Sequence, residues 1–310
     1  MKFKRLQSTM TMLFLSLGLL SSPFVMAKEI AITFDDSPRF AQGLLTGPER
    51  AKKLISNLSK HQVEQVAFFS VSKHLDDEGT RRLKAYSDAG HLIANHSYDH
   101  PDFNQLSLAQ YSKNFLKADQ QLKQFSTFTK MYRFPYLREG NTKEKLDGMR
   151  ALLKKHDYKN AYITLNNYDW YMESLFQAAI AKGNKVDLKR MSKFYVEVLI
   201  ESIEYYDVLA QQHLGRSPKH VLLLHEMDIS ALFIGDLVTE LRQRGWKTIT
   251  PEMAYTDDIA TMMTKHVGKY NPGRVGEIAR DNGQTKELWH KSLDEAYLTK
   301  KFNEQVLLLE

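Results

Sequence analysis

Short apolar runs rich in β-branched and aromatic residues alternate along this chain with longer amphipathic segments. Seven such runs occur: EIAITF, QVAFFSV, HLIAN, KMYRF, NAYITL, HVLLLH and WKTIT. The segments between them carry apolar residues at helical spacing, as in ERAKKLISNLSKH, EGTRRLKAYSDAG and LSLAQYSKNFLKADQQLKQF. Alternating strands and helices are typical of βα units around a parallel sheet. The sequence therefore predicts an α/β fold of the barrel type, one strand short of the usual eight.

Two regions fall outside this alternation. The first is an insertion over residues 171–215, which we predict to be largely helical. Its apolar residues at core-like spacing are Phe194, Tyr195, Val198, Leu199, Ile203 and Tyr206. The second is the tail over residues 256–310, which is mixed in character and interrupted by glycines. We expect both regions to pack on a single barrel domain over residues 28–255, as packing elements or as walls of a substrate cleft.

The first 27 residues predict a secretory signal peptide. MKFKR carries three cations, the apolar run TMLFLSLGLL follows, and Val25 and Ala27 occupy the small-residue positions of a cleavage site. The apolar run is shorter than the about 20 residues that a membrane span needs, so no stable membrane anchor is expected. These features indicate an exported protein, either periplasmic or secreted.

Charge and cysteine content exclude several classes of partner and modification. The chain has no cysteine, which excludes disulfides and a lipid anchor on cysteine. Without Lys2, Lys4 and Arg5 of the predicted signal peptide, 40 basic residues face 37 acidic ones, a net charge of +3. A balance this small, with no basic block, gives no reason to expect nucleic acid or an anionic membrane as a partner. The sequence leaves the oligomeric state open.

Reactive side chains collect at the carboxyl ends of the predicted strands. They are Asp35 and Asp36 after the first run, His96 after the third, Arg133 at the fourth, Asp169 and Trp170 after the fifth, and His225 at the end of the sixth. In α/β barrels, the carboxyl-terminal rim is where the active site forms. Residues as far as 190 positions apart are therefore expected to meet at one mouth of the barrel.

The segment NHSYDHP contains two histidines that could bind one metal ion. His96 and His100 are four residues apart, a spacing that puts both on one face of a helical turn with Cβ atoms about 5–6 Å apart. Two imidazoles and one carboxylate, with a position left for water, are a typical open site for Zn²⁺ or a similar ion. Asp36 could supply the carboxylate, and Asp35 would then be placed to remove a proton from the water.

His225 is a candidate general acid, because an imidazole with an ordinary pKa of about 6.5 can hold and deliver a proton near neutrality. Each candidate also has a structural role open to it. The segment TFDDSP suits a strand-to-turn transition, and Arg133 and Trp170 could be a surface cation and a core aromatic. Non-haem iron oxygenases also use two histidines and one carboxylate. The unligated Asp35 and the separate acid candidate favour a hydrolase instead.

Five motifs together resemble the polysaccharide deacetylases of carbohydrate esterase family 4. In chain order they are TFDD, NHSYDH, RFPY, NNYDW and a looser VLLLH. The resemblance covers roughly residues 29–255 and implies a distorted seven-stranded (β/α) barrel, the strand number already reached from the pattern. With the insertion and the tail, the expected architecture is a distorted (β/α)7 barrel with a helical insertion and a C-terminal extension.

The resemblance also implies a role for each matched residue. Those that would take part directly in the reaction are the catalytic base Asp35, the metal ligands Asp36, His96 and His100, and the catalytic acid His225. Those that would position these groups or line the pocket for the acetyl methyl are Arg133 beside Asp35, Asp169 beside His225, the Tyr136 N–H at the oxyanion, and Trp170 and Leu223.

The chain departs from the family pattern in three places. Ser37 stands where the family often has glycine, and Asn166 replaces the first aspartate of the fourth motif. The insertion and the tail have no counterpart in the minimal domain. Substrate choice therefore cannot be transferred from the family.

The predicted activity is metal-dependent hydrolysis of N- or O-linked acetyl groups on a carbohydrate polymer or oligosaccharide. Zn²⁺ is the expected ion, and Co²⁺, Ni²⁺ or Mn²⁺ could occupy the same nitrogen and oxygen ligands. Hydrolysis of a small non-peptide amide and glycan binding without catalysis are the two alternatives. An acetylated glycan is favoured, since aromatic faces pack on apolar sugar faces and the start of the insertion, with the residues just before it, is rich in aromatics: Tyr168, Trp170, Tyr171 and Phe176.

Overall fold

Seven parallel strands form the centre of the computed structural model, which describes residues 27–265 and 267–308. They are β1 (Lys28–Ser37), β2 (Ala67–Ser70), β3 (Leu92–Asn95), β4 (Phe128–Tyr132), β5 (Lys159–Asn160), β6 (His220–His225) and β7 (Trp246–Thr248). Every strand pairing among the described residues is parallel. The predicted signal peptide, apart from Ala27, lies outside the described residues.

The strands form one sheet in the order β5-β4-β3-β2-β1-β6, and β7 pairs with the first residues of β1. At ten residues, β1 is the longest of the described strands. Its apolar residues Ile30, Ile32 and Phe34 are buried. A parallel sheet is covered on both faces, which explains why these strands have nearly continuous apolar sequences rather than alternating ones.

The segment over residues 161–167 links the two edges of the curled sheet. The Ala161 N–H donates to the Tyr132 carbonyl of β4 over 2.8 Å, whereas Leu165 pairs with Leu222 of β6. The prediction of a regular strand over all of NAYITL is therefore wrong in extent, because a segment crossing from one edge to the other cannot keep a regular ladder with either. The predicted fold class, a distorted seven-stranded (β/α) barrel, is confirmed.

Ten α-helices are present among the described residues: α1 (Gly47–Lys60), α2 (Asp77–Asp88), α3 (Leu108–Leu122), α4 (Lys143–Lys155), α5 (Asp169–Ala181), α6 (Leu188–Leu214), α7 (Asp228–Gln243), α8 (Pro251–Ala254), α9 (Arg274–Asp281) and α10 (Glu295–Phe302). Reciprocal capping boxes fix the start of two of them. Thr46 pairs with Glu49 at α1, and Ser107 pairs with Gln110 at α3. Each box satisfies backbone N–H groups that a helix start leaves without partners.

The insertion and the tail add helices that share the core of the barrel. The six apolar residues singled out in α6 are all buried, and α6 packs against α7 and α9. Leu288, Leu298 and Phe302 of the tail belong to the same apolar cluster as β1. Among the described residues, no helix combines the length and the apolar character that a membrane crossing requires.

Candidate active site

One groove of about 730 Å³ lies at the carboxyl ends of the strands. The predicted site residues that line it are Asp35, Asp36, His96, His100, Tyr136, Trp170, Leu223 and His225. The remaining two, Arg133 and Asp169, are buried and contact Asp35 and His225. The structure thus brings together all ten residues, which come from β1, β6 and the segments that follow β3, β4 and β5.

Asp36, His96 and His100 form a cluster whose candidate ligand atoms all lie within 4.8 Å of one another. Asp36 Oδ1 is 3.5 Å from His96 Nε2 and 3.3 Å from His100 Nε2. This oxygen is buried and has no hydrogen-bond partner among the described residues. A buried carboxylate oxygen without a partner costs free energy. Its position opposite two imidazole nitrogens therefore fits a divalent cation.

Both imidazoles present a free nitrogen to this cluster. His96 Nδ1 lies 2.8 Å from the Arg133 carbonyl; its N–H donates to that oxygen, which leaves the Nε2 lone pair directed at Asp36, as is usual for metal-binding histidines. Burial lowers the pKa of His100 to about 4, although the Asp36 carboxylate opposes the change. His100 is therefore neutral at physiological pH and able to act as a ligand.

The two histidines lie on a loop after β3, so the prediction that they share a helical turn is wrong. Ser97 and His100 adopt positive φ angles of 76° and 57°. The Ser97 hydroxyl accepts a hydrogen bond from the His100 N–H over 3.0 Å. Pro101 follows directly, and a residue before proline avoids the right-handed helical region. Asp36 also has a positive φ, 64°, and such strained non-glycine residues cluster at functional sites.

Asp35 is held by a buried arginine. Arg133 Nη1 donates to Asp35 Oδ1 over 2.8 Å, and Asp35 Oδ2 lies 3.8 Å from His96 Nε2. Other partners of the guanidinium group are the Thr33 hydroxyl, the Ala161 carbonyl, the Tyr255 hydroxyl and the Phe69 ring. These contacts fix one oxygen of Asp35, so the other remains directed towards the cluster of Asp36 and the two histidines.

His225 is held by Asp169 at the first turn of α5. Asp169 Oδ1 lies 2.7 Å from His225 Nδ1, and Asp169 Oδ2 accepts from the His225 backbone N–H over 2.7 Å. Burial opposes the charged imidazole, but Asp169 outweighs it and, with Asp36 and Asp35, raises the pKa of His225 to about 9. His225 is thus protonated at neutral pH, and Nε2 is the nitrogen not engaged by Asp169.

Three further predicted residues surround this centre. Tyr136 belongs to a short 3₁₀ turn (Pro135–Leu137), and its backbone N–H donates to none of the described residues. Its ring packs edge-on against His100 with centroids 4.5 Å apart. Trp170 packs beside Tyr168 with ring centroids 4.9 Å apart. Leu223 lies on β6 and is largely buried.

Sequence reasoning missed Arg39, which donates to Asp36 Oδ2 over 2.7 Å. The Arg39 N–H in turn donates to Glu226 Oε2 over 2.7 Å, and its carbonyl accepts from Arg50 Nη1 over 2.9 Å. Arg50 pairs with Asp228 beneath this loop. The only signal in the sequence was a cation three residues after Asp36. The loop follows its observed path because the backbone of Arg39 is hydrogen-bonded to the buried side chains of Glu226 and Arg50.

Tyr255 and the aromatic residues of the tail were also missed. The Tyr255 hydroxyl accepts from Arg133 Nη2 over 2.9 Å, although the two residues are 122 positions apart. Tyr270 and Trp289 line the groove. No local pattern marked these residues, apart from their being large aromatics in a polar, glycine-interrupted stretch.

Comparisons with known sequences identify a family match over the first part of the chain. Residues 25–161 match the model of the polysaccharide deacetylase family. A peptidoglycan-N-acetylglucosamine deacetylase from Bacillus cereus is 28% identical over 117 residues, which make up 37% of this chain and 38% of that protein. The chain spans about a quarter to a half of the length of the curated relatives it matches.

Solved structures share the fold over a larger part of the chain. A T48 deacetylase solved with substrate has a TM-score of 0.50 at 20% identity, covering 74% of this chain and 92% of that one. A family 4 carbohydrate esterase pseudoenzyme from Bacillus anthracis has a TM-score of 0.50 at 17% identity, covering 74% of this chain and 66% of that one. This fold therefore occurs with and without activity, so the fold alone does not establish a catalytic function.

Proposed function

We propose that the protein, whose residues 25–161 match the model of the polysaccharide deacetylase family, is a metal-dependent hydrolase that removes acetyl groups from an N-acetylated glycan. The observation that carries the proposal is the convergence, in one groove, of a buried carboxylate, a cluster of two imidazoles and a carboxylate, and a protonated imidazole. The Bacillus cereus relative, named for N-acetylglucosamine, and the aromatic residues lining the groove support the substrate class.

The ligands proposed for the metal ion are Asp36, His96 and His100. Two imidazole nitrogens and one carboxylate oxygen suit Zn²⁺ and also accept Co²⁺, Ni²⁺ or Mn²⁺. The partnerless Asp36 Oδ1 and the neutral His100 support this assignment. A divalent ion bound there supplies Lewis acidity, which polarises the acetyl carbonyl and lowers the pKa of water towards about 7.

Asp35 acts as the general base in this proposal. Arg133 holds Asp35 Oδ1, so Oδ2 accepts the proton of the attacking water while the water oxygen bonds to the acetyl carbonyl carbon. The Tyr136 N–H, which has no acceptor among the described residues, donates to the developing oxyanion. His225 then donates its Nε2 proton to the departing nitrogen as the carbon–nitrogen bond breaks. The products are acetate and a free amine on the sugar.

Acetate release from N-acetylglucosamine oligomers and acetylated xylan tests the proposal. The chain is stripped of metal and reloaded with Zn²⁺, Co²⁺ or Mn²⁺. We expect metal-dependent release that Asp36→Ala and His96→Ala abolish together with metal binding. Asp35→Asn and His225→Ala should retain the metal and lose about 10²- to 10⁴-fold in kcat, the usual cost of removing a proton-transfer group.

Asp147→Asn is the matched control, since it neutralises a solvent-exposed carboxylate of α4 that pairs with Lys143. It should keep wild-type turnover. Stoichiometric metal binding without acetate release from any substrate would overturn the proposed activity. Near wild-type turnover in metal-loaded Asp35→Asn or His225→Ala would overturn the assigned roles while leaving the activity in place.

A further inference from the structure

The tail contributes two exposed aromatic side chains to the groove. Tyr270 is 57% exposed and Trp289 is 41% exposed, and both line the groove with Asp35 and His225. Neither residue belongs to the part of the chain that matches the family model. Large aromatic rings that stay exposed inside a concave site mark a binding surface.

The residues that precede Tyr270 and Trp289 are anchored to the rest of the molecule. Before Tyr270, the Lys269 carbonyl accepts from Asn104 Nδ2 over 3.1 Å. Before Trp289, Leu288 is buried in the main core, and the Glu287 carbonyl accepts from the Tyr205 hydroxyl. The two aromatic side chains are therefore presented by anchored segments.

Tyr270 continues a wall that starts at the proposed metal ligands. The Tyr136 ring packs against His100. The Arg138 guanidinium carbon lies 5.1 Å from the centre of the Tyr136 ring and 5.5 Å from the centre of the Tyr270 ring. A ligand bound at the reaction centre would therefore meet Tyr270 if it extended along this wall.

The charges of the groove favour an uncharged ligand. Among the described residues that line it, the two arginines are already paired, Arg39 with Asp36 and Arg138 with Asp102. The imidazole of His225 is paired with Asp169. The residues that line the groove therefore offer no unpaired cation for an anionic polymer. Two further cations lie against its aromatic rings: the Lys269 ammonium is 5.2 Å from the centre of the Tyr270 ring, and the Arg280 guanidinium carbon is 5.4 Å from the centre of the Trp289 ring.

The volume of the groove favours a ligand longer than one sugar. Pockets of about 300–1,000 Å³ enclose most of a drug-sized molecule, and this groove measures about 730 Å³. A single N-acetylhexosamine is smaller than such a molecule and would fill only part of this groove.

Building on the proposed function, we infer that Tyr270 and Trp289 bind sugar rings that flank the residue losing its acetyl group. The substrate class is accordingly an uncharged chain of several N-acetylated hexoses, with the apolar ring faces packed on the two aromatics. The tail thus provides specificity for chain length, and the barrel provides the chemistry.

A length series of β-1,4-linked N-acetylglucosamine, from monomer to hexamer, tests the inference. For the wild-type chain, we expect kcat/KM for acetate release to rise with length. Tyr270→Ala and Trp289→Ala should each lower kcat/KM on the hexamer about tenfold, a loss of about 1.4 kcal/mol. The loss should appear mainly in KM, because each truncation removes one apolar ring face from the bound chain. The kcat/KM of both variants on the monomer should equal that of the wild type.

Conservative variants separate ring contact from structural damage. Tyr270→Phe and Trp289→Phe keep an aromatic face and should retain most of the length dependence. Val208→Ala, which truncates an exposed apolar side chain of α6 outside the groove, should behave as wild type. Hexamer binding to the Asp35→Asn variant, measured by calorimetry with and without Trp289→Ala, provides a second readout that needs no turnover.

The two proposals can fail separately. Acetate release with the same length dependence in the wild type and both alanine variants would overturn the role of the tail and leave the proposed function standing. Hexamer binding that Trp289→Ala weakens, with no acetate release at any length, would overturn the proposed activity and keep the binding surface. Absence of both binding and release would overturn both.

Discussion

Two opposing effects set the protonation state of His225. Burial favours the neutral ring, whereas the Asp169 carboxylate, 2.7 Å from Nδ1, favours the charged one. The carboxylate prevails, and the pKa rises to about 9. Asp169 also accepts from the His225 backbone N–H, so one side chain controls both the charge and the orientation of the proposed acid.

The pH dependence of kcat should report this charge. An acid acts only while protonated, so kcat should fall as the pH rises through the pKa of His225. A bound cation offsets the charges of Asp36 and Asp35, which places the fall at or below about pH 9. In Asp169→Asn the pKa moves towards the ordinary value of about 6.5, and the fall should move to lower pH. Measuring steady-state kcat between about pH 6 and 10 locates this fall in the wild type and in Asp169→Asn.

The pH profile of Asp147→Asn provides the comparison, because that variant also removes one carboxylate but at an exposed position. It should coincide with the wild-type profile. NMR titration of the His225 ring gives the same pKa without turnover. A descending limb at one pH in the wild type and in Asp169→Asn would show that His225 is not the titrating acid.

Local motifs made some of these residues predictable and not others. Asp36, His96 and His100 lie in short segments of fixed spacing after apolar runs, so their meeting follows from strand order. Arg39 reaches Asp36 only because Glu226 and Arg50 form hydrogen bonds with the backbone of the loop after β1. Such contacts depend on tertiary packing, which the spacing of residues in one segment does not encode.

At the level of elements, the segment from β5 to α5 closes the barrel. The Thr164 hydroxyl accepts from the Val221 N–H of β6 over 2.8 Å and lies 2.9 Å from His220 Nδ1. The Ser202 hydroxyl of α6 donates to the Asn166 carbonyl over 2.6 Å. These side-chain hydrogen bonds add to the few backbone hydrogen bonds that Thr164 and Leu165 make with β6, and together they hold the crossing segment where a regular ladder is absent.

Thr164→Val should destabilise the fold by about 1–3 kcal/mol, because it leaves the buried Val221 N–H without this acceptor. Urea denaturation measures the change in the free energy of unfolding. Thr239→Val is the matched control. Thr239 is an exposed residue of α7, and among the described residues its hydroxyl donates only to the Gly235 carbonyl one turn back, so the change should stay within about 0.5 kcal/mol. Equal stability of the two variants would contradict the closing role of Thr164.

The apolar pattern predicted the presence of seven strands better than their extent. NAYITL is buried along most of its length, from Ala161 to Leu165, and so has the composition of a central strand. Only Lys159 and Asn160 form regular pairs with β4. Burial determines composition, whereas pairing depends on where the neighbouring strands run. An apolar pattern therefore identifies a segment as part of the core but does not determine which strand it forms hydrogen-bonded pairs with.

Across the whole molecule, the tail is the part that the sequence predicted least. Its helices α9 and α10 are short, eight residues each. They carry too few turns for a clear helical pattern. Their apolar residues nevertheless join the same cluster as the barrel strands. Contacts of this kind form between segments far apart in sequence, so the sequence predicted that the tail packs on the barrel but not which of its residues would make the contacts.

Ending the chain after Tyr255 should prevent cooperative folding. The truncation removes six large apolar side chains that are at least 98% buried: Ile259, Val275, Leu288, Leu298, Phe302 and Val306. At about 1.5–3 kcal/mol each, their loss amounts to roughly 9–18 kcal/mol, as much as the about 5–15 kcal/mol that stabilises a typical domain. By contrast, Leu298→Ala should unfold cooperatively with a loss of about 2–5 kcal/mol. Urea denaturation followed by circular dichroism distinguishes the two, and a truncated chain with a wild-type-like transition would mean that the barrel folds without its tail.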